Sequence, residues 1–343
     1  MPRQVWLLPG ILGTTIDRLI GPIRLNVYPN PVALAQYGFA GLRLNAAGTG
    51  EAYPLLQGDL RPGVPMPLFY DDLVARLEDY SFVPILPKLD WRYSLITQAS
   101  ALSQTIIAAD IDEAIALVCH SMGGLVAALA YANLLAAGQE SRVHRIVTLA
   151  TPWWGSYGAL WPMMRLGLTY RLMRDLIGGI RAMRLQWPGI YHDVDVPACS
   201  WVTLYEMLPS LQQPSPDDPL RAQLYTPGTL SSVQTAINPT LLAAAGPVQV
   251  QLSVSSPPAA KHVQVRGSGY QTPQRWYGGP LSDYSSYGYG DGDGTVSLGM
   301  GTLEGRPYAQ VPAAHDAIAY NHTVLANLPA WIETGLSQTI IYQ

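Results

Sequence analysis

Charge is scarce in this chain. Only 13% of its 343 residues are Asp, Glu, Lys or Arg, against roughly 25% in an average soluble domain. Lysine is nearly missing: of 20 basic residues only Lys88 and Lys261 are Lys, which we read as codon usage rather than a phosphate-binding device. The net charge is −4 and the pI near 5.8, so no basic field exists to attract a nucleic acid, and nucleic-acid partners are excluded. Cysteine is equally sparse. Cys119 and Cys199 cannot supply a disulfide framework. Long apolar runs are absent too, although 48% of the residues are hydrophobic and the mean hydropathy is +0.12. Pro, Gly or Arg interrupts each apolar segment well short of the roughly 20 residues a membrane-spanning helix needs. The stretch Met1 to Gly10 lacks the shape of a signal peptide, since its apolar run is short and contains Pro9-Gly10. A cytoplasmic location is the resulting expectation.

What the chain does have is glycine and proline, together about 18% of its residues. That lies below the roughly 25–30% typical of disordered chains, so ordered loops around a large core are expected. Short apolar runs alternate with helical patterns. Val5 to Ile11, Ser81 to Leu86, Ile115 to Cys119 and Val143 to Leu149 read as buried strands, and Leu95 to Ala109 and Met122 to Ala137 as helices. Continuous apolar strands separated by helices predict an α/β fold with a mostly parallel sheet covered on both faces. The pattern resumes at Lys261 to Gly269, and Arg306 to Val311 is expected to be the last strand, with Tyr284 to Gly294 a loop. Between them the regularity breaks. Residues 153–246 are read as an inserted cap, leaving 1–152 and 247–343 as the core. Within the cap, 160–187 is expected to be helical, with Leu168, Leu172, Leu176 and Ile180 on one face and Arg171, Arg174, Arg181 and Arg184 on the other. Such a helix suits transient contact with an anionic membrane surface, and Trp153 and Trp154 at its entrance are candidates to touch substrate.

The chemistry concentrates at Cys119-His120-Ser121-Met122-Gly123-Gly124, between a buried strand and a helix. This is the setting of a nucleophile elbow, where the positions two before and two after the Ser must be small. Gly123 meets that need, and Cys119 stands where Gly is usual. A serine needs a base, and the base needs an acid to orient it. On an elbow fold these follow in the order Ser, Asp or Glu, His. His144, His192 and His262 precede the best acid, and His120, beside the elbow, is expected to support the turn. His315, on the loop after the last strand, is preferred as base over His322, which is expected a turn or two into the following helix. The acid is sought in Gly290-Asp291-Gly292-Asp293-Gly294-Thr295. Asp293 is the first choice and Asp291 the fallback, with a helix and the last strand between the acid and His315. The Asp-x-Asp-Gly spacing resembles a calcium loop but lacks the further ligand and the closing Glu, so no metal or cofactor is expected. Backbone N–H groups of Ile11, or Leu12, after Pro9-Gly10, and of Met122 after the nucleophile are the candidate oxyanion donors.

Seven stretches in order carry a resemblance to a known family. They are Pro9-Gly10-Ile11-Leu12-Gly13, Phe69-Tyr70-Asp71-Asp72-Leu73, Leu89-Asp90-Trp91-Arg92, His120 to Gly124, Thr151-Pro152-Trp153-Trp154-Gly155-Ser156, Met207-Leu208-Pro209-Ser210, and Gly292-Asp293-Gly294-Thr295-Val296. The set resembles the lecithin:cholesterol acyltransferase family, a branch of the α/β-hydrolases that includes lysosomal phospholipase A2 and phospholipid:diacylglycerol acyltransferase. The resemblance implies an α/β-hydrolase fold with Ser121, Asp293 and His315 as triad and Ile11 and Met122 at the oxyanion hole. It implies a serine acyl hydrolase or acyltransferase acting on lipid-like esters. The alternatives are a soluble carboxylesterase or thioesterase on small esters, and a catalytically inactive binding module. The segments that choose the acyl acceptor in that family are those that do not match here.

Overall fold

The computed structural model describes residues 3–30, 39–52, 58–164, 198–213, 218–226, 228–230 and 235–343. Its centre is a seven-stranded sheet in which every paired neighbour is parallel. Five of its strands are β1 (Gln4–Leu8), β5 (Val83–Ile85), β6 (Ile115–His120), β7 (Val143–Leu149) and β8 (His262–Ser268). The other two are β11 (Tyr308–Pro312) and β12 (Ile340–Ile341), and the order is β12-β11-β8-β7-β6-β1-β5. Strands β1, β6 and β7 are buried almost throughout because helices cover both faces of the sheet. The chain leaves β1 toward β5 on one side, and leaves β6 toward β7 on the other. The reversal lies between β1 and β6, so the crevice at the carboxyl ends of those two strands is where an open α/β sheet places its site.

The helix Met122–Ala136 follows β6 at once and is buried on almost every face. Its composition of Ala, Leu and Val suits a helix packed between the sheet and the helices Leu95–Ala108 and Pro239–Val254. Leu95–Ala108 begins at Ser94, whose hydroxyl accepts from the Ile96 N–H, and buries Leu95, Ala99, Leu102 and Ile106 at helical spacing. Pro239–Val254 is the crossover into β8 and starts on an Asn238 cap with Pro239 in its first turn. It spans residue 246, where the cap was expected to end, and packs on both Val202–Glu206 and Met122–Ala136.

Several expectations need correction. The last strand is not Arg306 to Val311, because β12 adds a two-residue edge beside β11. Tyr284 to Gly294 is not all loop: Tyr287–Gly292 forms β10, antiparallel to β9 (Tyr270–Trp276). Its Tyr and Gly disguise a strand that has only one partner and little core to face. No helix lies between Asp293 and β11, only turns. His322 is the first residue of the helix His322–Thr334, not a turn or two inside it. A third, antiparallel sheet of β2 (Thr14–Ile20), β3 (Ile23–Tyr28) and β4 (Asp59–Pro65) follows the first turn, in a stretch whose pattern predicted nothing. Of the expected helix 160–187, residues 165–187 lie outside the described residues. Tyr157–Leu160 is a single 3₁₀ turn. Among the described residues no helix is long and apolar enough to cross a membrane.

Two buried ionisable side chains fasten the segment 198–206 and the chain around residue 51 to the core. The fully buried Arg92 guanidinium donates to both oxygens of Glu51 at 2.9 and 3.0 Å and to Asp90 at 2.7 and 2.9 Å, the pairing a buried cation requires. Beside it Trp91 donates from Nε1 to the Thr14 carbonyl at 2.9 Å and meets Trp201 edge-on at 4.8 Å. Glu206, buried, accepts from Ser94 Oγ and from Leu95 N–H, both at 2.7 Å. Burial pushes its carboxyl up to about 7, against the lowering effect of those two hydrogen bonds. A carboxyl whose folded pKa is raised holds its proton where the unfolded chain has released it. Its contribution to stability is therefore complete below about 4.5 and is lost as pH rises through about 7. Glu206→Gln keeps an acceptor for Leu95 and removes the titration. Its melting temperature relative to the parent chain is expected to be higher at pH 8 than at pH 5, and calorimetry at the two pH values checks the sign.

Candidate active site

Ser121 sits between β6 and the helix that follows, at φ 53° and ψ −123°, a sparsely populated conformation for a residue with a side chain. The surroundings hold it there. Its N–H donates to the Leu149 carbonyl at 2.8 Å and its carbonyl accepts from Thr151 Oγ1 at 3.1 Å. Close packing fixes the neighbours: a Cβ on Gly123 would lie 2.3 Å from the Leu8 carbonyl oxygen, and one on Gly124 2.0 Å from Thr151 Oγ1. The small-residue requirement thus falls on two consecutive glycines where the helix crosses the end of β1. Cys119, two residues before Ser121, is fully buried within the sheet.

His315 lies three residues past β11 with its Nε2 2.8 Å from Ser121 Oγ. Its Nδ1 lies 2.8 Å from Asp293 Oδ2. Asp293 is nearly completely buried, and its Oδ1 accepts from the N–H groups of Thr295 at 2.8 Å and Val296 at 2.6 Å. A carboxylate can only accept, so Nδ1 carries the ring proton and Nε2 is left to accept from the serine hydroxyl. The His315 N–H also donates to the Asp293 carbonyl at 2.9 Å, which ties the two loops together through the backbone. Burial disfavours a charged imidazole here, but the charge and hydrogen bond of Asp293, with Asp316 nearby, outweigh it and raise the His315 pKa above its ordinary 6.5. Asp293 is thus placed to stabilise an imidazolium.

The remaining candidates are placed elsewhere. Asp291 is exposed and its Oδ1 accepts from the Gly269 N–H at 2.6 Å. With Asp293 facing N–H donors and His315, the calcium-like spacing serves a turn. His322 is exposed, 3.3 Å from Thr323 Oγ1. His144 and His262 belong to β7 and β8, and His262, pushed down to about 3 by burial and Arg306, lies 2.9 Å from Thr148 Oγ1. His192 falls outside the described residues. Trp153 packs edge-on against His262 at 5.3 Å. Trp154 donates from Nε1 to the Thr302 carbonyl at 2.9 Å and from its backbone to Met300 at 3.0 Å. With Ser156 Oγ donating to the Thr295 carbonyl, the segment after β7 braces the loop that carries the acid.

The first turn comes close to the nucleophile: a Cβ on Gly10 would lie 3.0 Å from that of Ser121. Leu12 holds φ 60° in the same turn, and the Gly13 N–H donates to Gly10 at 3.0 Å. The Gly10 N–H is taken by Tyr70. Among the described residues neither the Ile11 nor the Met122 N–H donates to a protein acceptor. Met122 opens its helix, so its N–H also adds to the positive end of that dipole. In the sequence Tyr70 stood only within Phe69-Tyr70-Asp71-Asp72-Leu73, with no role of its own. Its signal was a hydroxyl on the buried face shared with Leu73 and Leu77, where a polar group needs a partner.

If Asp293 orients the base, Asn in its place removes both the imidazolium stabilisation and the acceptor that sets the tautomer. Asp293→Asn is expected to lower kcat by about 10³–10⁴, and Asp291→Asn to stay within about threefold. The base must be neutral to accept a proton, so kcat/KM is present above the His315 pKa and lost as pH falls through it. Because Asp293 raises that pKa, the acid limb moves to lower pH in Asp293→Asn. The two variants' pH profiles, with equal losses counting against this acid, check the assignment.

Residues 85–167 match the family model for lecithin:cholesterol acyltransferase. No curated protein sequence matches the chain. Among solved structures, the Tle4–Tli4 complex contains a chain that is 14% identical, with 98% of this chain and 99% of that chain covered and a TM-score of 0.53. A lipase from Bacillus licheniformis, BlEst2, is 13% identical over 96% of this chain and 91% of its own, at a TM-score of 0.38. The phospholipase PlaB from Legionella pneumophila is 14% identical over 98% and 58%, at 0.39. The parallel sheet, the elbow after β6 and the likeness to the first of these agree on the architecture. The chain has an α/β-hydrolase fold, and its residues 85–167 resemble the lecithin:cholesterol acyltransferase family.

Proposed function

We propose that the protein is a serine hydrolase or acyltransferase that cleaves carboxylic esters of lipid-like substrates. The observation that carries this reading is the continuous hydrogen-bonded line from Ser121 Oγ through His315 to Asp293, each link 2.8 Å. In this reading Ser121 attacks the ester carbonyl as its proton passes to His315 Nε2. The N–H groups of Ile11 and Met122 receive the charge on the carbonyl oxygen. His315 then protonates the departing alcohol, leaving an acyl group on Ser121. Water or a second alcohol, activated by the same nitrogen, resolves it. The match to the acyltransferase family over the elbow region supports a lipid-like donor.

The test is mass spectrometry of products from a mixed phospholipid and glyceride pool, with and without added alcohol. Free fatty acid alone indicates hydrolysis, and a new ester with the alcohol indicates transfer. Turnover of acetate and butyrate p-nitrophenyl esters with none of the lipid pool would point instead to a soluble esterase. Membrane contact through 160–187 belongs to the same proposal. Binding to anionic vesicles that weakens with salt supports it, and equal binding to neutral vesicles, or none to either, overturns it.

A further inference from the structure

Three pieces of backbone must keep register around Ser121: the turn after β1, the elbow, and the loop holding His315. One buried hydrogen-bonded line runs through all three. The Gly10 N–H donates to the Tyr70 hydroxyl oxygen at 3.0 Å, and that hydroxyl lies 2.8 Å from His120 Nδ1. His120 Nε2 lies 2.8 Å from the backbone carbonyl of His315. The directions of these bonds are fixed by elimination. A carbonyl only accepts, so His120 Nε2 carries the proton. Burial, with the neighbouring His315, pushes the His120 pKa down to about 3, so its ring is neutral and Nδ1 is an acceptor. The Tyr70 hydroxyl therefore donates to Nδ1 and accepts from Gly10. Every polar atom in the line is satisfied.

The hydroxyl is also held tightly by shape. Tyr70 is 2% exposed, a Cβ on Gly13 would lie 2.8 Å from its oxygen, and a Cβ on Gly10 would lie 3.3 Å from His120 Nδ1. Two glycines of the first turn thus open the space this line occupies. The bond to Tyr70 also removes the Gly10 N–H from the turn's free donors, which leaves Ile11 as the next along the chain.

We propose that Tyr70 and His120 are positioning residues that lock the first turn and the base loop into one register across the elbow, so that the oxyanion donor and His315 are aligned together. This deepens the hydrolase reading above and rests on it. Both side chains are buried, and each acts through Gly10 or through the His315 backbone.

The experiment compares Tyr70→Phe, His120→Leu, the double variant and His120→Gln in the full chain. The quantity is kcat/KM for a p-nitrophenyl ester, which reports acylation, per folded molecule as measured by circular dichroism. Misplacing reacting groups by fractions of an ångström costs about 10- to 100-fold, and that loss is expected in Tyr70→Phe and in His120→Leu. Because both cut one line, the double variant is expected to be no slower than His120→Leu alone. His120→Gln, which offers an N–H near the position of Nε2, is expected to regain at least about tenfold of the loss. Fully additive losses, a Tyr70→Phe rate within twofold of the parent, or no rescue by Gln overturns the proposal. A parent chain that neither hydrolyses esters nor reacts with a fluorophosphonate overturns the nucleophile reading itself, and the relay falls with it.

Discussion

Ser121→Ala is expected to lower kcat for ester cleavage by on the order of 10⁴–10⁶, with little change in folding. The hydroxyl oxygen is the only atom removed. Alanine meets the same φ of 53° at the elbow as serine does, and the bonds from the residue 121 N–H to the Leu149 carbonyl and from Thr151 Oγ1 to the residue 121 carbonyl remain. What disappears is the atom that, in the proposed mechanism, forms the acyl bond. The surviving rate belongs to whatever the backbone donors and the bound geometry supply without a nucleophile, which in triad enzymes is a small remainder over water. Steady-state kinetics beside a thermal melt make the comparison, and a loss below tenfold at unchanged melting temperature would place the nucleophile elsewhere.

Replacing His315 by Ala is expected to cost a similar factor, because the two residues act as a unit and removing either disables both. Without the imidazole, Ser121 keeps its proton at neutral pH and Asp293 Oδ2 loses its hydrogen-bond donor. His322→Ala provides the contrast. That side chain is exposed at the start of its helix, where truncation is expected to change kcat by less than about twofold. Addition of free imidazole distinguishes a missing base from a distorted loop: partial recovery in His315→Ala is the expected result. A ranking with His322 the more damaging would overturn the choice of base.

The core strands were legible because burial on both faces leaves β1 and β6 as nearly continuous apolar runs. The elbow was legible for a related reason: Gly123 and Gly124 are demanded by β1 and Thr151 passing within bond-length clashes of a Cβ. Chain order and loop position then singled out Asp293 and His315, which the fold brings together. The antiparallel sheet β2-β3-β4 was not legible. Its strands mix Asp17, Arg18, Arg24 and Asn26 with isolated apolar residues, and Pro62 and Gly63 lie within β4. In β9 and β10, Pro273 and three glycines hid the pairing that carries Asp293 to the site. Trp153 and Trp154 suggested substrate by their chemistry, yet their partners, His262 and Thr302, lie more than a hundred residues away in sequence. Tyr70 escaped for the same reason, since its partners are 60 residues back and 50 residues ahead.

The central claim is that Ser121 is an activated nucleophile, and labelling with a fluorophosphonate followed by peptide mass spectrometry tests it most directly. A single adduct on Ser121, abolished in Ser121→Ala and strongly slowed in His315→Ala, is the predicted result. No adduct on Ser121 in the folded chain, or one that forms equally fast without His315, would contradict it.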